Sequence, residues 1–223
     1  ENGTGEIFIE PHLYNAERKN IQIDYQVLSP NQEIAACKTE WGENVCRIEI
    51  PTPVLWNGLK KGALYCLHAE LKIEGRQVDS THITLGFRSI SIDGEKGFFL
   101  NGENIKINGV AKHQDYDGVF NATKQEHWNQ DICDILEIGA NSVRLSHYQH
   151  PQEMYCLCDK YGLIVWAEIP MLKMTENEAL LENACSQLKE LILQNIHHPS
   201  ICFWGIQNEI AMFGENQGMY EKV

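Results

Sequence analysis

The spacing of apolar residues changes near residue 90, and this change limits the folds available to the chain. From residue 5 to about residue 87 apolar and polar residues alternate, as they do along Ile21–Val27 and Val45–Ile50. Turn residues such as Ser29-Pro30-Asn31 separate these short runs. Such alternation is typical of strands with one buried face. It predicts an all-β sandwich of immunoglobulin-like size over residues 1–90.

Beyond this point strands alternate with helices. After a junction at Arg88–Gly97, the segment Phe98–Ile107 predicts a hairpin that turns at Asn101-Gly102. Four short apolar strands follow. The first ends near Lys112, and the other three cover Ser142–Leu145, Leu163–Ala167 and Ile201–Ile206.

Three helices are predicted between these strands. The first begins at a capping box, Thr123–Glu126, and stops at Gly139. Pro151 suits the first turn of the second helix, which ends at Tyr161-Gly162. The third begins at another capping box, Thr175–Glu178. Its apolar residues recur at helical spacing, at Leu181, Cys185, Leu188, Ile192 and Ile196.

Repeated strand–helix units predict a parallel sheet, which is either open and doubly wound or part of a barrel. An open nucleotide-binding sheet is disfavoured because no G-x-G-x-x-G motif follows any strand. The sequence therefore predicts a multidomain fold. An immunoglobulin-like β-sandwich over residues 1–90 precedes an incomplete (β/α)8 TIM barrel, its first four β/α units, over residues 91–223.

The acidic composition excludes two classes of partner. The 31 Asp and Glu residues outnumber the 18 Lys and Arg residues, which gives a formal net charge of −13 at pH 7. No basic cluster offsets this charge locally, so the phosphates of nucleic acids and anionic membrane surfaces are repelled. The sequence also has no apolar run long enough to span a membrane. We expect neither a nucleic acid nor a membrane as a partner.

The eight cysteines are scattered, without a Cys-x-x-Cys pair or the spacing of a disulfide framework. Several lie within apolar runs, so we expect buried thiols in a reducing compartment. This slightly favours the cytoplasm. The chain begins at Glu1 without a signal segment, and its localisation is otherwise left open.

Polar residues follow each of the four predicted barrel strands. In a barrel the carboxyl ends of the strands meet at one face, where the chemistry lies. The hydroxyls of a sugar need polar partners and its ring faces need aromatic side chains, so the set suits a sugar. Its members are His113, Asp115 and Asp117 after the first strand, Arg144, His147 and Tyr148 at the second, Glu168 at the third, and Asn208 and Glu209 at the fourth.

Glu209 is the best catalytic candidate in the chain. It ends the apolar segment Ile201–Glu209, which also presents Trp204 and Asn208. An unpaired carboxylate at the end of a buried strand is costly unless something uses it. The sequence therefore predicts that Glu209 takes part in the chemistry.

Each of these residues also has a structural interpretation when taken alone. His113 and His147 could be interior histidines, Arg144 and Glu168 could form a structural ion pair, and Asp115 could be a turn residue. Polar residues at the ends of all four strands, in register, are unlikely to be coincidental. Together they favour a functional site.

A zinc site is disfavoured because the histidines and cysteines lack the spacing of zinc ligands. The pair His197-His198 is interpreted instead as a cap on the carboxyl end of the third helix.

Four segments resemble glycoside hydrolase family 2, the family of β-galactosidases, β-glucuronidases and β-mannosidases. They are Asn108–Asp115, Asn141–Tyr148, Cys158–Pro170 and His198–Glu209. Their order and spacing are similar to those of the family's barrel, and the preceding sandwich is similar to its immunoglobulin-like domain. The resemblance covers nearly the whole chain.

The resemblance implies a retaining exo-β-glycosidase, in which Glu209 is the general acid/base and Asn208 hydrogen-bonds the 2-hydroxyl of the sugar. It also implies that His113, Asp115 and His147 line the subsite for the terminal sugar, with Arg144 near the nucleophile. A retaining enzyme needs two carboxylates about 5–5.5 Å apart, one protonated and one ionised.

The sequence differs from the family in that one of the two catalytic carboxylates is not found in it. The family's nucleophile is a second glutamate on a later strand, and this chain offers no substitute, since Glu168 is not on the corresponding strand. The family's opening sugar-binding-type sandwich is also absent. We therefore expect a fragment that is inactive alone and self-associates as a homo-oligomer through open barrel edges.

Among family activities, the sequence analysis favours a β-galactosidase, with a β-glucuronidase as the near alternative. The loop Ile169–Leu172 lacks the Glu and His that hold a divalent metal in some β-galactosidases, so we expect no cofactor. A non-catalytic carbohydrate-binding or interaction module is the alternative from a different class. A metal-dependent hydrolase that uses Glu168 and the histidines is a third hypothesis, to which the ligand spacing gives little support.

Overall fold

The structure is a computed structural model in which two compact units are distinguished. One unit comprises residues up to 56 and residues 63–88, and the other comprises residues 57–62 and those from 89 onward. The residues described are 3–14, 20–172 and 177–209.

The first unit is built from strands arranged in two antiparallel sheets. The strands described are β1 (Thr4–Ile9), β2 (Ile21–Leu28), β3 (Ile34–Trp41), β4 (Cys46–Pro51), β5 (Tyr65–Ile73) and β6 (Arg76–Leu85). β1 pairs with β4 in one sheet, and the other sheet has the order β3-β2-β5-β6.

One apolar core joins these two sheets. Along β2 every second residue from Ile21 to Val27 is buried, and along β4 the buried residues are Cys46, Ile48 and Ile50. All of them belong to a single cluster. Burial of an aliphatic side chain stabilises a fold by about 1.5–3 kcal/mol, so the alternation decides which face of each strand turns inward. The predicted β-sandwich is therefore present, and its immunoglobulin-like type stays a prediction.

The second unit contains a small antiparallel sheet of β7 (Ile90–Asp93), β8 (Gly97–Leu100) and β9 (Glu103–Asn104). Its hairpin turns where predicted, at Asn101 and Gly102, whose φ angles are 52° and 79°. Two-residue hairpin turns need such left-handed residues. The segment predicted only as a junction therefore includes a strand, β7.

A four-stranded parallel sheet with helical connections follows. Its strands lie in chain order: β10 (Gly109–Lys112), β11 (Ser142–Leu145), β12 (Ile164–Glu168) and β13 (Ile201–Gly205). The connecting helices are α1 (Gln125–Glu137), α2 (Gln152–Tyr161) and α3 (Glu178–Asn195), and a 3₁₀ turn, Gly58–Lys60, also belongs to this unit. The predicted four strands and three helices are confirmed, and together they form part of a barrel.

The helices bury one face each against this sheet. α1 contributes Ile132 and Ile135, and α2 contributes Met154 and Leu157, to a cluster that also contains the buried strand residues. Each of these helices therefore contributes one apolar face to the core of the unit.

The start of α1 differs from its predicted capping box. The N-cap residue is Lys124 rather than Thr123, and its backbone N–H donates to His127 Nδ1 at 3.0 Å. The Thr123 hydroxyl accepts instead from Trp128 Nε1 at 3.0 Å. The sequence offers several polar side chains here, and packing of Trp128 decides which of them caps the helix.

The start and the buried face of α3 also differ from the prediction. Asn177 is the N-cap, because its side-chain oxygen accepts from the backbone N–H of Ala179 and Leu180. Thr175, the predicted cap, lies outside the described residues. Two residues of the predicted apolar stripe, Cys185 and Ile196, are exposed. The fully buried residues of α3 are Ala184, Leu191 and Asn195, and Leu181 and Leu188 of the predicted stripe are half-buried against the core.

His198 does not cap α3 through its side chain, so the predicted cap is wrong for this residue. Its ring is buried, and Nδ1 lies 2.5 Å from Asp159 Oδ2. The other carboxylate oxygen of Asp159 accepts from the backbone N–H of Ser200 at 2.9 Å. This pair links the end of α2 to the start of β13.

All eight cysteines are free thiols. Four of them are exposed, so the expectation of buried thiols is wrong for Cys37, Cys133, Cys156 and Cys185. Within the described ranges, no helix is long and apolar enough to cross a membrane.

Candidate active site

The site begins with an ion pair between the second and third barrel strands. Arg144 lies on β11, and Glu168 is the last residue of β12. Arg144 Nε donates to Glu168 Oε2 at 2.9 Å, and Arg144 Nη2 donates to Oε1 at 3.0 Å. The Glu168 side chain is fully buried. A buried carboxylate persists only when paired and hydrogen-bonded, and two bonds to one guanidinium satisfy that need.

His147 approaches the same carboxylate from the loop after β11. Its Nδ1 lies 2.5 Å from Glu168 Oε1. The ionised carboxylate can only accept a hydrogen bond, so Nδ1 carries the proton and donates. The other ring nitrogen, Nε2, is then available to a ligand.

Asn208 joins the network from the segment after β13. Arg144 Nη2 donates to Asn208 Oδ1 at 2.8 Å. Since a guanidinium has no acceptor, this bond assigns the amide oxygen and nitrogen. The Nδ2 group is consequently oriented as a donor for a ligand. A backbone hydrogen bond from Asn208 to Met171 O, 2.9 Å long, fixes the segment against the loop after β12.

Glu209 differs from its predicted setting. It is exposed, and it lies four residues beyond Gly205, the last residue of β13. The cost of burying an unpaired carboxylate therefore does not apply to it. Its φ of 56° is uncommon for a residue with a side chain, and residues of this kind cluster at functional sites. The adjacent Asn208 anchors it beside the network.

His113 and Tyr148 extend the site along β10 and β11. The His113 ring lies edge-on to His147, with the centroids 5.0 Å apart, and 6.0 Å from the Tyr148 ring. The Tyr148 hydroxyl accepts from the backbone N–H of Gln114 at 3.1 Å. Asp115 is exposed, and the hydrogen bonds of the described residues do not connect it to the network.

Trp166 on β12 presents an aromatic ring beside the network. Its ring lies beneath the Arg144 guanidinium, 5.5 Å from centroid to Cζ, and is 42% exposed. Trp204 instead packs against the hydrophobic core. Adjacent residues of a strand face opposite sides of the sheet, and Trp166, two residues before Glu168 on β12, shares the face of that carboxylate.

The structure brings together Arg144, His147, Asn208 and, beside them, His113. Their central residue is Glu168, which the sequence predicted as a strand-end residue but not as a substrate-binding or catalytic one. The signal was present in the sequence, since Glu168 ends an otherwise apolar strand. Of the described side chains, no three His, Cys, Asp or Glu residues are grouped as metal ligands, and the expected absence of a cofactor stays a prediction.

Comparison with known proteins decides the family. The model of the domain described as "Glycosyl hydrolases family 2, TIM barrel domain" matches residues 90–223. The chain belongs to glycoside hydrolase family 2. The earlier resemblance is thereby confirmed for the barrel.

Relatives in family 2 have more than one activity in their names. A β-glucuronidase of Bacteroides fragilis is 40% identical over 181 residues, which cover 78% of this chain and 26% of that protein. A β-galactosidase of Thermoanaerobacter pseudethanolicus is 30% identical over 216 residues, 93% of this chain and 28% of that protein.

The fold of a family 2 crystal structure matches the chain closely. An FMN-binding β-glucuronidase from Facaelibacterium prausnitzii L2-6 superposes with a TM-score of 0.91 at 34% identity, covering 99% of this chain and 34% of that one. The chain thus spans a quarter to a third of the length of these relatives.

Proposed function

We propose that the chain contributes the acid/base half of the active site of a retaining exo-β-glycosidase. The observation that supports this most is the network of Arg144, His147, Glu168 and Asn208, which places an oriented amide directly before Glu209. Glu209 is exposed, so its carboxyl group can reach the glycosidic oxygen of a bound sugar.

In this mechanism Glu209 protonates the oxygen of the leaving group and later, as a base, activates water. Asn208 donates through Nδ2 to the 2-hydroxyl, an interaction that strengthens in the transition state. His147 Nε2, His113 and Asp115 bind the other hydroxyls of the terminal sugar. Arg144 keeps a positive charge near the nucleophile.

The nucleophile is a second carboxylate that must lie about 5–5.5 Å from the acid/base. Glu168 is not assigned this role. Both of its oxygens accept hydrogen bonds from Arg144 or His147, and its side chain is fully buried. A carboxylate that is buried and held in this way is not positioned to attack an anomeric carbon.

The first substrate to test is a β-glucuronide, with a β-galactoside as the second. The sequence analysis favours galactose, whereas the relatives at 40% and 34% identity are named β-glucuronidases. A β-galactoside is tested second because the relative at 30% identity is named a β-galactosidase.

We also propose an immunoglobulin-like class for the sandwich in residues 1–90 and a barrel domain that begins at residue 91. The common core of the two sheets supports the first assignment. The parallel order of β10 to β13 supports the second.

A panel of nitrophenyl β-glycosides tests the proposal in the full-length gene product. Hydrolysis of one glycoside should fall by about 10²–10⁴-fold in Glu209→Gln, the range that general acid–base catalysis contributes. Glu182→Gln, on the exposed side of α3, is the matched control and should retain full activity. Full activity in Glu209→Gln would refute the role of Glu209. Sugar binding without hydrolysis of any glycoside would favour a carbohydrate-binding module.

A further inference from the structure

We propose that Glu168 is the positioning residue of this active site, holding Arg144 and His147 and, through Arg144, the Asn208–Glu209 segment. The inference rests on the proposed function for its kinetic readout. Its structural basis is the set of contacts made by the buried Glu168 carboxylate. Glu168 itself touches no substrate in this account.

The three hydrogen bonds to Glu168 come from side chains that also face the site. Arg144 donates twice, at 2.9 and 3.0 Å, and His147 donates once, at 2.5 Å. Arg144 and His147 remain about one-third and one-quarter exposed, at 33% and 27%, while Glu168 is fully buried. A buried ion pair is weak evidence for stability, because apolar residues of similar size often serve a core as well or better. The arrangement is better suited to orienting the two exposed donors.

A single nitrogen atom, Arg144 Nη2, connects Glu168 to Asn208. Arg144 Nη2 donates both to Glu168 Oε1, at 3.0 Å, and to Asn208 Oδ1, at 2.8 Å. If the guanidinium moves, the amide loses the bond that sets its orientation. Asn208 precedes Glu209, so the position of the acid/base depends on the same contact.

Only an ionised carboxylate satisfies all three donors. A glutamine at position 168 has one acceptor oxygen and one NH₂ group. If the oxygen faces His147, the NH₂ group opposes Arg144 Nε. If the oxygen faces Arg144 Nε, the NH₂ group opposes the Nδ1 proton of His147. The substitution Glu168→Gln therefore disrupts the network while keeping the size of the side chain.

The neighbouring strand is shaped around this carboxylate. Gly205 on β13 is in register with Glu168. A Cβ atom on Gly205 would lie 2.6 Å from Glu168 Cβ and 2.2 Å from Trp166 Nε1, closer than real Cβ contacts. Gly205→Ala should therefore displace Glu168 without removing a polar atom, and it provides a second, independent variant.

Leaving-group dependence separates positioning from folding. A dinitrophenyl leaving group departs without protonation, whereas an alkyl leaving group needs the acid. In the full-length gene product, Glu168→Gln and Gly205→Ala should lower kcat/KM for an alkyl β-glycoside at least about tenfold more than for the dinitrophenyl β-glycoside. A displacement of about 1 Å at an active site is sufficient for losses of about 10²-fold.

Asp159→Asn is the matched control. Asp159 is another buried carboxylate paired with a histidine, at 2.5 Å, but it lies on α2 and contacts the residues that precede β13, away from the carboxyl ends of the strands. It should alter stability and leave the ratio of the two kcat/KM values unchanged. Equal losses on both substrates in Glu168→Gln, or the same ratio in Asp159→Asn, would overturn the positioning role.

The two proposals fail in different ways. If Glu209→Gln shows the leaving-group effect and Glu168→Gln does not, the positioning role is overturned and the proposed function stands. If the wild-type protein hydrolyses no glycoside, both are overturned. A crystal structure of Glu168→Gln gives a readout without activity. Loss of the Arg144–Asn208 hydrogen bond is expected, and its retention at 2.8 Å would contradict the positioning role.

Discussion

At the scale of single residues, the orientation of the Asn208 amide decides which of its atoms faces a ligand. Its oxygen is taken by Arg144, so the nitrogen is the group left for a sugar hydroxyl. The sequence places Asn208 beside Glu209 but does not specify which end of the amide faces outward. That orientation depends on a guanidinium 64 positions earlier in the chain.

His150 makes a testable contribution to the pH dependence of stability. Burial, which outweighs its hydrogen bond to Ser146 O, lowers the pKa of His150 from 6.5 to about 4. Below about pH 6.5 the unfolded chain therefore takes up a proton that the folded chain does not accept until about pH 4. The free energy of unfolding should fall across this interval by about 3 kcal/mol at most from this group.

Urea denaturation between pH 7 and pH 4 measures this contribution. His150→Gln should lose less stability than the wild type as the pH falls. His12→Gln, at an exposed histidine, should follow the wild-type curve. Identical slopes for His150→Gln and the wild type would contradict the assignment.

At the scale of elements, the buried hydrogen bond between His198 and Asp159 connects α2 to β13. Both side chains are almost fully buried, at 2% and 1% exposure. Removing one partner of a buried pair leaves the other group unsatisfied. His198→Ala should therefore lower the free energy of unfolding by about 3–5 kcal/mol.

Urea denaturation, followed by a spectroscopic signal that reports on the barrel unit alone, measures this loss in the free energy of unfolding. His82→Ala, at an exposed histidine of β6, is the comparison and should change stability little. A loss below about 1 kcal/mol in His198→Ala would show that the pair is energetically neutral.

Strand positions and helix bodies could be predicted from the sequence because one periodic pattern determines each of them. The alternation along β2 becomes a buried face, and the predicted barrel strands and helices are all present. Helix ends were predicted less well, since Lys124 and Asn177 cap where neighbouring residues were equally suited. The choice among adjacent polar residues depends on packing that a local pattern does not contain.

The sequence predicted which residues lie at the candidate site but not how they are hydrogen-bonded to one another. Strand-end placement identified Arg144, His147 and Asn208, which the structure joins in one network through Glu168. The ion pair of Arg144 with Glu168 was among the structural interpretations, and it is present. The strand-end pattern did not predict that Glu168 also accepts from His147 and is connected through Arg144 to Asn208. An apolar strand that ends in glutamate fits a two-residue ion pair equally well, so the sequence did not distinguish that pair from the larger network.

At the scale of the whole molecule, association through sheet edges stays a prediction. Among the described strands, β10 and β13 occupy the outer positions of the parallel sheet. Exposed edges have unpaired backbone groups that favour pairing with another chain. Sedimentation velocity of the 223-residue chain should show dimers or larger species, and Ala111→Lys on β10 should reduce them. A monodisperse monomer would contradict this prediction.

The most direct test of the central claim, that Glu209 is the acid/base of a retaining enzyme, is azide rescue of Glu209→Ala in the full-length gene product. With a dinitrophenyl β-glycoside the first step needs no acid, but hydrolysis of the glycosyl-enzyme intermediate needs a base. Azide attacks without a base. We predict that azide accelerates turnover and that NMR detects a β-glycosyl azide. A rate unaffected by azide, or an α-glycosyl azide, would contradict the account.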